Sequence, residues 1–224
     1  TYTLLLYNEK EYKSFLEGIV MLGKALETLF IRVWVVMKLT LYFWAYTVLG
    51  GIVLGIGPAC KAVNELFYTY EFEYKEITFK RGWQIFKQSF KRGNLLFGLF
   101  LVVALLLGYN LYLSVQIKGI LFLVIDFVLI FALLYAYATY QYSLILDSEY
   151  EISLPNLLKL SFVSSFSSFP AFLKLLIGGG IIFWITWNYK GLILFGLIGL
   201  LTVWNGLVTK QWREKLDTQL ESYE

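Results

Sequence analysis

The chain has 224 residues, of which 58% are apolar or aromatic and 16% charged, with a formal net charge of +3. A typical soluble domain carries roughly 25% charged residues, so this composition excludes an ordinary water-soluble globule. With no histidine and a single cysteine, Cys60, it also excludes an imidazole base, a His-ligated metal site and an intrachain disulfide framework.

Four apolar blocks dominate: Leu39–Ile56, Leu95–Leu113, Ile120–Leu146 and Ala171–Val208. The first three are each about 18 residues or longer, enough for a helix to cross a hydrocarbon core of about 30 Å. The fourth is about twice that length, and Asn188-Tyr189-Lys190-Gly191 interrupts it, so it reads as two crossings. A β-barrel needs alternating polarity, whereas here both alternate positions are apolar. Backbone groups in lipid must satisfy one another, which favours helices. The expected fold class is all-α: a polytopic membrane helical bundle of about five transmembrane helices plus amphipathic interfacial helices, in one integral membrane domain.

In chain order, residues 1–38 form an amphipathic lead-in, without the pattern of a cleavable signal. Helical periodicity places Lys13, Glu17, Lys24, Glu27 and Lys38 on one stripe, with Lys13–Glu17 and Lys24–Glu27 at pairing distance. Phe15, Leu16, Ile19, Leu22, Leu26, Leu29 and Phe30 occupy the other faces. No Gly or Pro separates this stretch from Leu39, so the helix is expected to run into the first span as an interfacial lead-in. That span is expected to end at Gly50-Gly51 and Gly55-Ile56-Gly57-Pro58, with Pro58 opening a short helix over Ala59–Tyr70.

Two later segments are amphipathic and are expected to lie in the membrane interface. In Thr78–Arg92 the residues Phe79, Trp83, Phe86 and Phe90 share a face. In Ser153–Phe169 Leu158, Phe162, Phe166 and Phe169 do so, opposed by Asn156, Ser161, Ser164 and Ser168. Thr78 and Ser153 are candidate N-caps. The two segments align as copies, Glu73-Tyr74-Lys75-Glu76-Ile77 with Glu149-Tyr150-Glu151-Ile152. This implies a degenerate tandem repeat: residues 39–113, then 120–188, then a last span at 191–208 and a tail at 209–224. Parallel repeats follow from an even number of crossings per unit; chance similarity between apolar sequences is the competing reading.

Lys61, Lys75, Lys80, Arg81, Lys87, Lys91 and Arg92 crowd the 57–93 segment, and Lys210, Arg213 and Lys215 the tail. The opposite loops carry only Lys118 and Lys190. The excess of cations predicts a cytoplasmic C-terminus and cytoplasmic amphipathic helices. A five-span count then puts the N-terminal helix outside, against the charges of Lys10, Lys13, Lys24, Arg32 and Lys38; Glu9, Glu11, Glu17 and Glu27 do not offset them. The basic helix face Lys80, Arg81, Lys87, Lys91 and Arg92 is expected to meet anionic lipid headgroups or a partner rather than nucleic acid. No phosphate-cradling Gly-x-x-x-x-Gly-Lys run occurs.

Asp126 is the one carboxylate well inside a span, and intramembrane acids are by default functional candidates. Asn110 falls at a similar depth across the Ser114–Gly119 turn, and Lys38 reaches that level from the first span. Two readings stay open: a polar cluster fixing helix register, or a site for ion coupling or substrate hydroxyls. Lys174 and Asn205 lie near the cytoplasmic face, with Lys174 placed to snorkel to phosphate headgroups. Tyr135, Tyr137, Tyr140, Tyr142 and Gln141 enrich the third span as an interfacial aromatic belt or, alternatively, a carbohydrate path. Trp34, Trp44, Trp184, Trp187 and Trp204 are read the same way. Gly178-Gly179-Gly180 with Gly191, Gly196 and Gly199 predicts close packing of the last two spans. No nucleophile–base pair is visible, so an enzyme is not expected, nor is a cofactor.

From Glu27 to Val63 the chain carries Trp34, Met37-Lys38-Leu39, Leu41-Tyr42-Phe43-Trp44 and Gly50-Gly51-Ile52-Val53-Leu54-Gly55-Ile56-Gly57-Pro58-Ala59 with Ala62. It resembles the YesL family of bacterial membrane proteins, formerly a domain of unknown function. That family closes an early aromatic span in a Gly-hydrophobic-x-Pro-Ala-x-x-x-Ala element, here Gly55, Gly57, Pro58, Ala59 and Ala62. A basic Phe-x-x-x-Phe amphipathic helix follows, as at Trp83–Arg92. The Asn often found before the first Trp is missing from Thr40–Tyr42, and Cys60-Lys61 replaces small residues. The resemblance implies a plasma-membrane protein of Gram-positive bacteria, in an accessory or scaffolding role beside the permease and ATPase subunits of a carbohydrate ABC importer. An autonomous small transporter using Asp126 is the alternative. Ile152-Ser153-Leu154-Pro155 matches the end of a permease coupling loop, but the upstream Ala and Gly are absent, and the match is read as coincidence.

Overall fold

The computed structural model describes residues 2–167 and 169–221, and within them the side chains of 16–167 and 169–218. Expectations that rest on the side chains of Glu9, Lys10, Glu11, Lys13, Phe15 and Ser168 fall outside these. Among the described residues there are nine helices and no strand: α1 (Tyr2–Leu49), α2 (Val53–Tyr70), α3 (Phe79–Gln88), α4 (Phe90–Ser114), α5 (Ile120–Glu149), α6 (Leu154–Ser167), α7 (Phe169–Asn188), α8 (Gly191–Phe195) and α9 (Leu197–Glu221). The all-α architecture expected from the sequence is observed.

Three helices, α4, α5 and α7, are long and apolar enough to cross a membrane. The other apolar blocks are divided. The block Leu39–Ile56 is cut by a turn at Gly50–Ile52, so its last residues begin α2 instead of completing a first span. The turn needs glycine. A Cβ on Gly55 would lie 2.3 Å from the Thr47 carbonyl oxygen, and one on Gly50 would lie 2.5 Å from the Gly55 Cα. Gly51 has φ +81°, and Ile52 follows at φ +62°, a left-handed conformation that strains a β-branched residue. Its N–H is anchored to the Thr47 carbonyl at 2.9 Å. Pro58 therefore opens nothing; it sits inside α2. The block Ala171–Val208 is divided by the Asn188–Lys190 turn and again at Gly196, between α8 and α9.

Helix α1 runs unbroken over 48 residues, about 70 Å at 1.5 Å per residue. It does lead without a break into the first apolar block. No ion pair joins Lys24 to Glu27 among the described residues; Lys24 instead lends its carbonyl to the Thr28 hydroxyl at 2.8 Å. Helix α2 folds back along α1, so the middle of α1 lies beside the far end of α2. Lys38 Nζ donates to the Tyr74 carbonyl at 2.9 Å, and the Arg32 guanidinium sits 5.2 Å from the centre of the Phe72 ring. Arg32 and Lys38 of α1 thus share one end of the molecule with the 71–78 segment, which carries Glu71, Glu73, Lys75 and Glu76. The five-span count puts that helix opposite the other cations; Arg32 and Lys38 instead lie by the 71–78 segment that leads into α3.

The main core lies between α1 and α2, with Val35, Leu39, Phe43 and Tyr46 against Ala59, Ala62, Val63 and Leu66. Helix α3 closes it from the side. Its aromatic face turns toward that core: Phe86 is 3% exposed, and the rings of Phe79, Trp83 and Phe86 all pack on Tyr46, with the outer edge of Phe79 left exposed. Gly82 permits this approach, since a Cβ there would be 2.2 Å from the Tyr46 hydroxyl.

Helix α6 does the reverse. Leu157, Ser161, Ser164 and Ser165 are buried, while Phe162, Phe166 and Phe169 stay more than half exposed. The serines expected on the polar face are the packing face. Ser161 and Ser165 donate to their own helix, to the Leu157 and Ser161 carbonyls at 2.7 and 2.9 Å. That leaves a small surface on which α5 can pack closely. Thr78 and Ser153 precede α3 and α6 through their backbone carbonyls, to Gly82 N–H and Leu157 N–H; no side-chain cap bond forms at Thr78. The element order long helix, short helix, long helix occurs at α2–α3–α4 and again at α5–α6–α7.

Candidate functional site

Three helices meet at one carboxylate. Asp147, near the end of α5, has a side chain 1% exposed. It accepts from Lys61 Nζ of α2, which also reaches the Asp147 backbone carbonyl at 3.3 Å. Its other oxygen accepts from Arg92 Nε of α4, and a second guanidinium N–H of Arg92 donates to the Ile152 carbonyl in the segment leading into α6. A buried charge is tolerated when it is paired and hydrogen-bonded; here two cations pair with it, and each of its oxygens accepts a hydrogen bond. The α2–α4 approach is set by glycine: a Cβ on Gly57 would fall 2.5 Å from the Gly93 carbonyl oxygen. The element Gly55, Gly57, Pro58 and Ala59 is wholly buried. It joins α2 to α1 on one side and to α4 on the other.

An open cleft of about 410 Å³ lies over this node, lined among others by Lys61, Glu65, Gln88, Arg92, Glu149 and Glu151. Burial pushes the Glu65 carboxyl above its ordinary pKa; Lys61 opposes that shift and Asp147 adds to it. Helix α9 fastens the rim. Arg213 pairs with Glu149, and Asp217 accepts from the Tyr150 hydroxyl. Deeper in, Asn205 of α9 donates to Gln141 of α5 at 3.0 Å, both side chains buried. Nearby Tyr68 donates to Asn64 at 3.1 Å, and Asn64 to the Cys60 carbonyl at 2.8 Å. The arrangement offers charge pairing and hydrogen bonds from fixed helices, which is the chemistry of assembly and binding. No group of three or more metal-ligating side chains is found among the described residues.

The cluster expected around Asp126 is not assembled. Among the described residues no hydrogen bond or ion pair joins Asp126, Asn110 and Lys38. Asn110 is exposed and donates to the Leu106 carbonyl of its own helix at 2.7 Å. Lys38 is drawn to Tyr74 because α1 turns back at Gly50 before reaching that depth. Asp126 is half-buried, with Oδ1 buried and without a hydrogen-bond partner.

The basic face of α3 is divided too. Lys80, Lys87 and Lys91 are exposed. Arg81 pairs with Glu76 and stacks 5.0 Å over Tyr70. Arg92 turns inward to the node. The tyrosines of α5 form no surface belt: Tyr135 and Tyr142 are buried and Tyr137 and Tyr140 half-buried, because this part of α5 is wrapped by α2, α4, α6 and α7. Trp204 packs on Gly178 and donates to the Lys174 carbonyl at 3.1 Å. Trp184 and Trp187, at the far end of α7, are 71% and 79% exposed.

Sequence reasoning missed Asp147, which ends an apolar run. One signal was there: no Lys or Arg lies three or four residues to either side of it, so any cation that pairs with it must come from another element.

No curated protein and no solved structure matches the chain. A family match covers α1 from Val36 through most of α4, and so holds the Gly55–Ala59 element and both cations of the node, with Asp147 outside it. Residues 36–111 match the model of the family described as a protein of unknown function, DUF624, which is the YesL-type family.

Proposed function

We propose that this chain is an accessory or scaffolding subunit in the bacterial plasma membrane, associating with the permease and ATPase subunits of a carbohydrate ABC importer. The observation that carries the scaffolding reading is the outer part of α1. From Leu16 to Trp34 every residue but Ile31 is exposed, including Ile19, Leu22, Leu26, Leu29 and Phe30. A long helix held at one end, with a bare apolar side, is built to be covered by something else. The carbohydrate importer as partner rests on the family resemblance. The clustering of Lys and Arg at one end supports a cytoplasmic side for α3 and for the C-terminus. The α1–α2 hairpin brings Arg32 and Lys38 to that same side.

Pull-down of the tagged chain in mild detergent tests this. Permease and ATPase subunits should be recovered, and Leu26→Asp with Phe30→Asp should reduce the recovery. If neither subunit is recovered and the chain alone drives sugar uptake into liposomes, the reading is wrong. A cysteine introduced at Lys87 should resist impermeant reagents applied to intact cells, and labelling there overturns the orientation.

A transporter acting alone is the second reading, favoured by the unpartnered Asp126 oxygen. In that case Asp126→Asn abolishes liposome uptake while leaving the protein folded; under the scaffolding reading Asp126→Asn leaves the pull-down unchanged.

A further inference from the structure

Between the start of α7 and the second half of α9 two adjoining cavities, of about 210 and 460 Å³, share Lys174, Val208 and Gln211. The first is floored by Ala171, Val208 and Trp212 and edged by Lys174 and Lys215. Both lysines are exposed, and neither has an ion pair among the described residues. Lys210, beside them, is held by Glu71 at 2.9 Å; Glu214 is the one acid lining the second cavity. The groove straddles a polarity step: the apolar run of α9 ends at Val208, and Thr209-Lys210-Gln211 follows. It is also preformed. Trp204 seats on Gly178 and donates to the Lys174 carbonyl at 3.1 Å, which fixes α7 against α9 one turn from the groove.

We propose that this groove binds the headgroup of an anionic phospholipid. Lys174 and Lys215 pair with its phosphate, Gln211 donates to a remaining oxygen, and one acyl chain lies along Val208 and Ala171. Cations from two helices set at the end of an apolar run match the depth at which phosphates end and hydrocarbon begins. The site does not depend on the importer reading.

The test is native mass spectrometry of the full chain in uncharged detergent, with phosphatidylglycerol, phosphatidylcholine or inorganic phosphate added. Phosphatidylglycerol should be retained over phosphatidylcholine. One cation near such a surface corresponds to about fivefold in affinity, so K174Q with K215Q should lose roughly thirtyfold. K174R with K215R should keep the preference. A171F, which fills the groove with both charges intact, should lose it while melting as the wild type does; should the double Gln variant not fold, this variant and the Arg pair decide. Equal retention of the two lipids, or no loss in A171F, overturns the proposal. Inorganic phosphate displacing the lipid at millimolar concentration reassigns the site to free phosphate and overturns the lipid assignment.

Discussion

Helices α3 and α6 hold matching places in the element order, and each is a short amphipathic helix feeding directly into a longer apolar one. They bury opposite faces. Helix α3 turns Trp83 and Phe86 inward and leaves Lys80 and Lys87 outside. Helix α6 turns Ser161, Ser164 and Ser165 inward and leaves Phe162 and Phe166 outside. The difference teaches that amphipathicity alone does not say which face packs. Beside water, burying aromatic rings is favourable. Beside hydrocarbon there is no gain in hiding a phenyl ring, and the face that lets backbones approach closely is the one that packs.

The helix that α3 feeds, α4, and the segment that leads into α6 meet at the same carboxylate, and cutting it tests the comparison hardest. Asp147→Ala leaves Lys61 buried without its counter-ion and leaves Arg92 held to the segment that enters α6 by the Ile152 carbonyl alone. Breaking one side of a buried ion pair costs about 3–5 kcal/mol, so thermal melting in detergent should show the largest loss here, with α4 and α6 becoming protease-sensitive together. If only one of them loosens, the node does not link the two units. Phe86→Ala should follow: large-to-small changes at buried aromatics cost about 3 kcal/mol or more, and Phe86 is 3% exposed. Ser164→Leu sharpens the contrast from the other side, because overpacking a close helix contact costs about 1–3 kcal/mol; a neutral result would mean that the serine face of α6 is not tightly seated. Phe166→Ala should change stability least, within about 0.5 kcal/mol, as for other exposed positions. Equal losses for Phe86→Ala and Phe166→Ala would erase the distinction between the two helices.

Much of the fold was legible along the chain. The apolar stretches gave helices, the Gly50-Gly51 and Asn188–Lys190 breaks gave turns, and the aromatic spacing of Phe79, Trp83 and Phe86 gave one face of α3. The site was less legible. Lys61 and Asp147 are 86 positions apart and Arg92 and Asp147 are 55 apart; no local spacing links them. Asp126 drew notice because it interrupts hydrocarbon, whereas Asp147 sits where a charge is unsurprising.

Composition and hydrophobic run length by themselves determined that this is an all-helical chain with helices suited to a membrane, since an uninterrupted apolar stretch leaves its backbone no other way to satisfy its polar groups in lipid. Only the tertiary structure decided which polar groups meet. Glycine contacts at Gly50, Gly55, Gly57 and Gly93 set how closely α1, α2 and α4 approach. That approach carries Lys61 and Arg92 onto Asp147 and holds Lys38 away from Asp126. Pairing of charges across helices is a property of distance in space, and a single sequence records distance only along the chain.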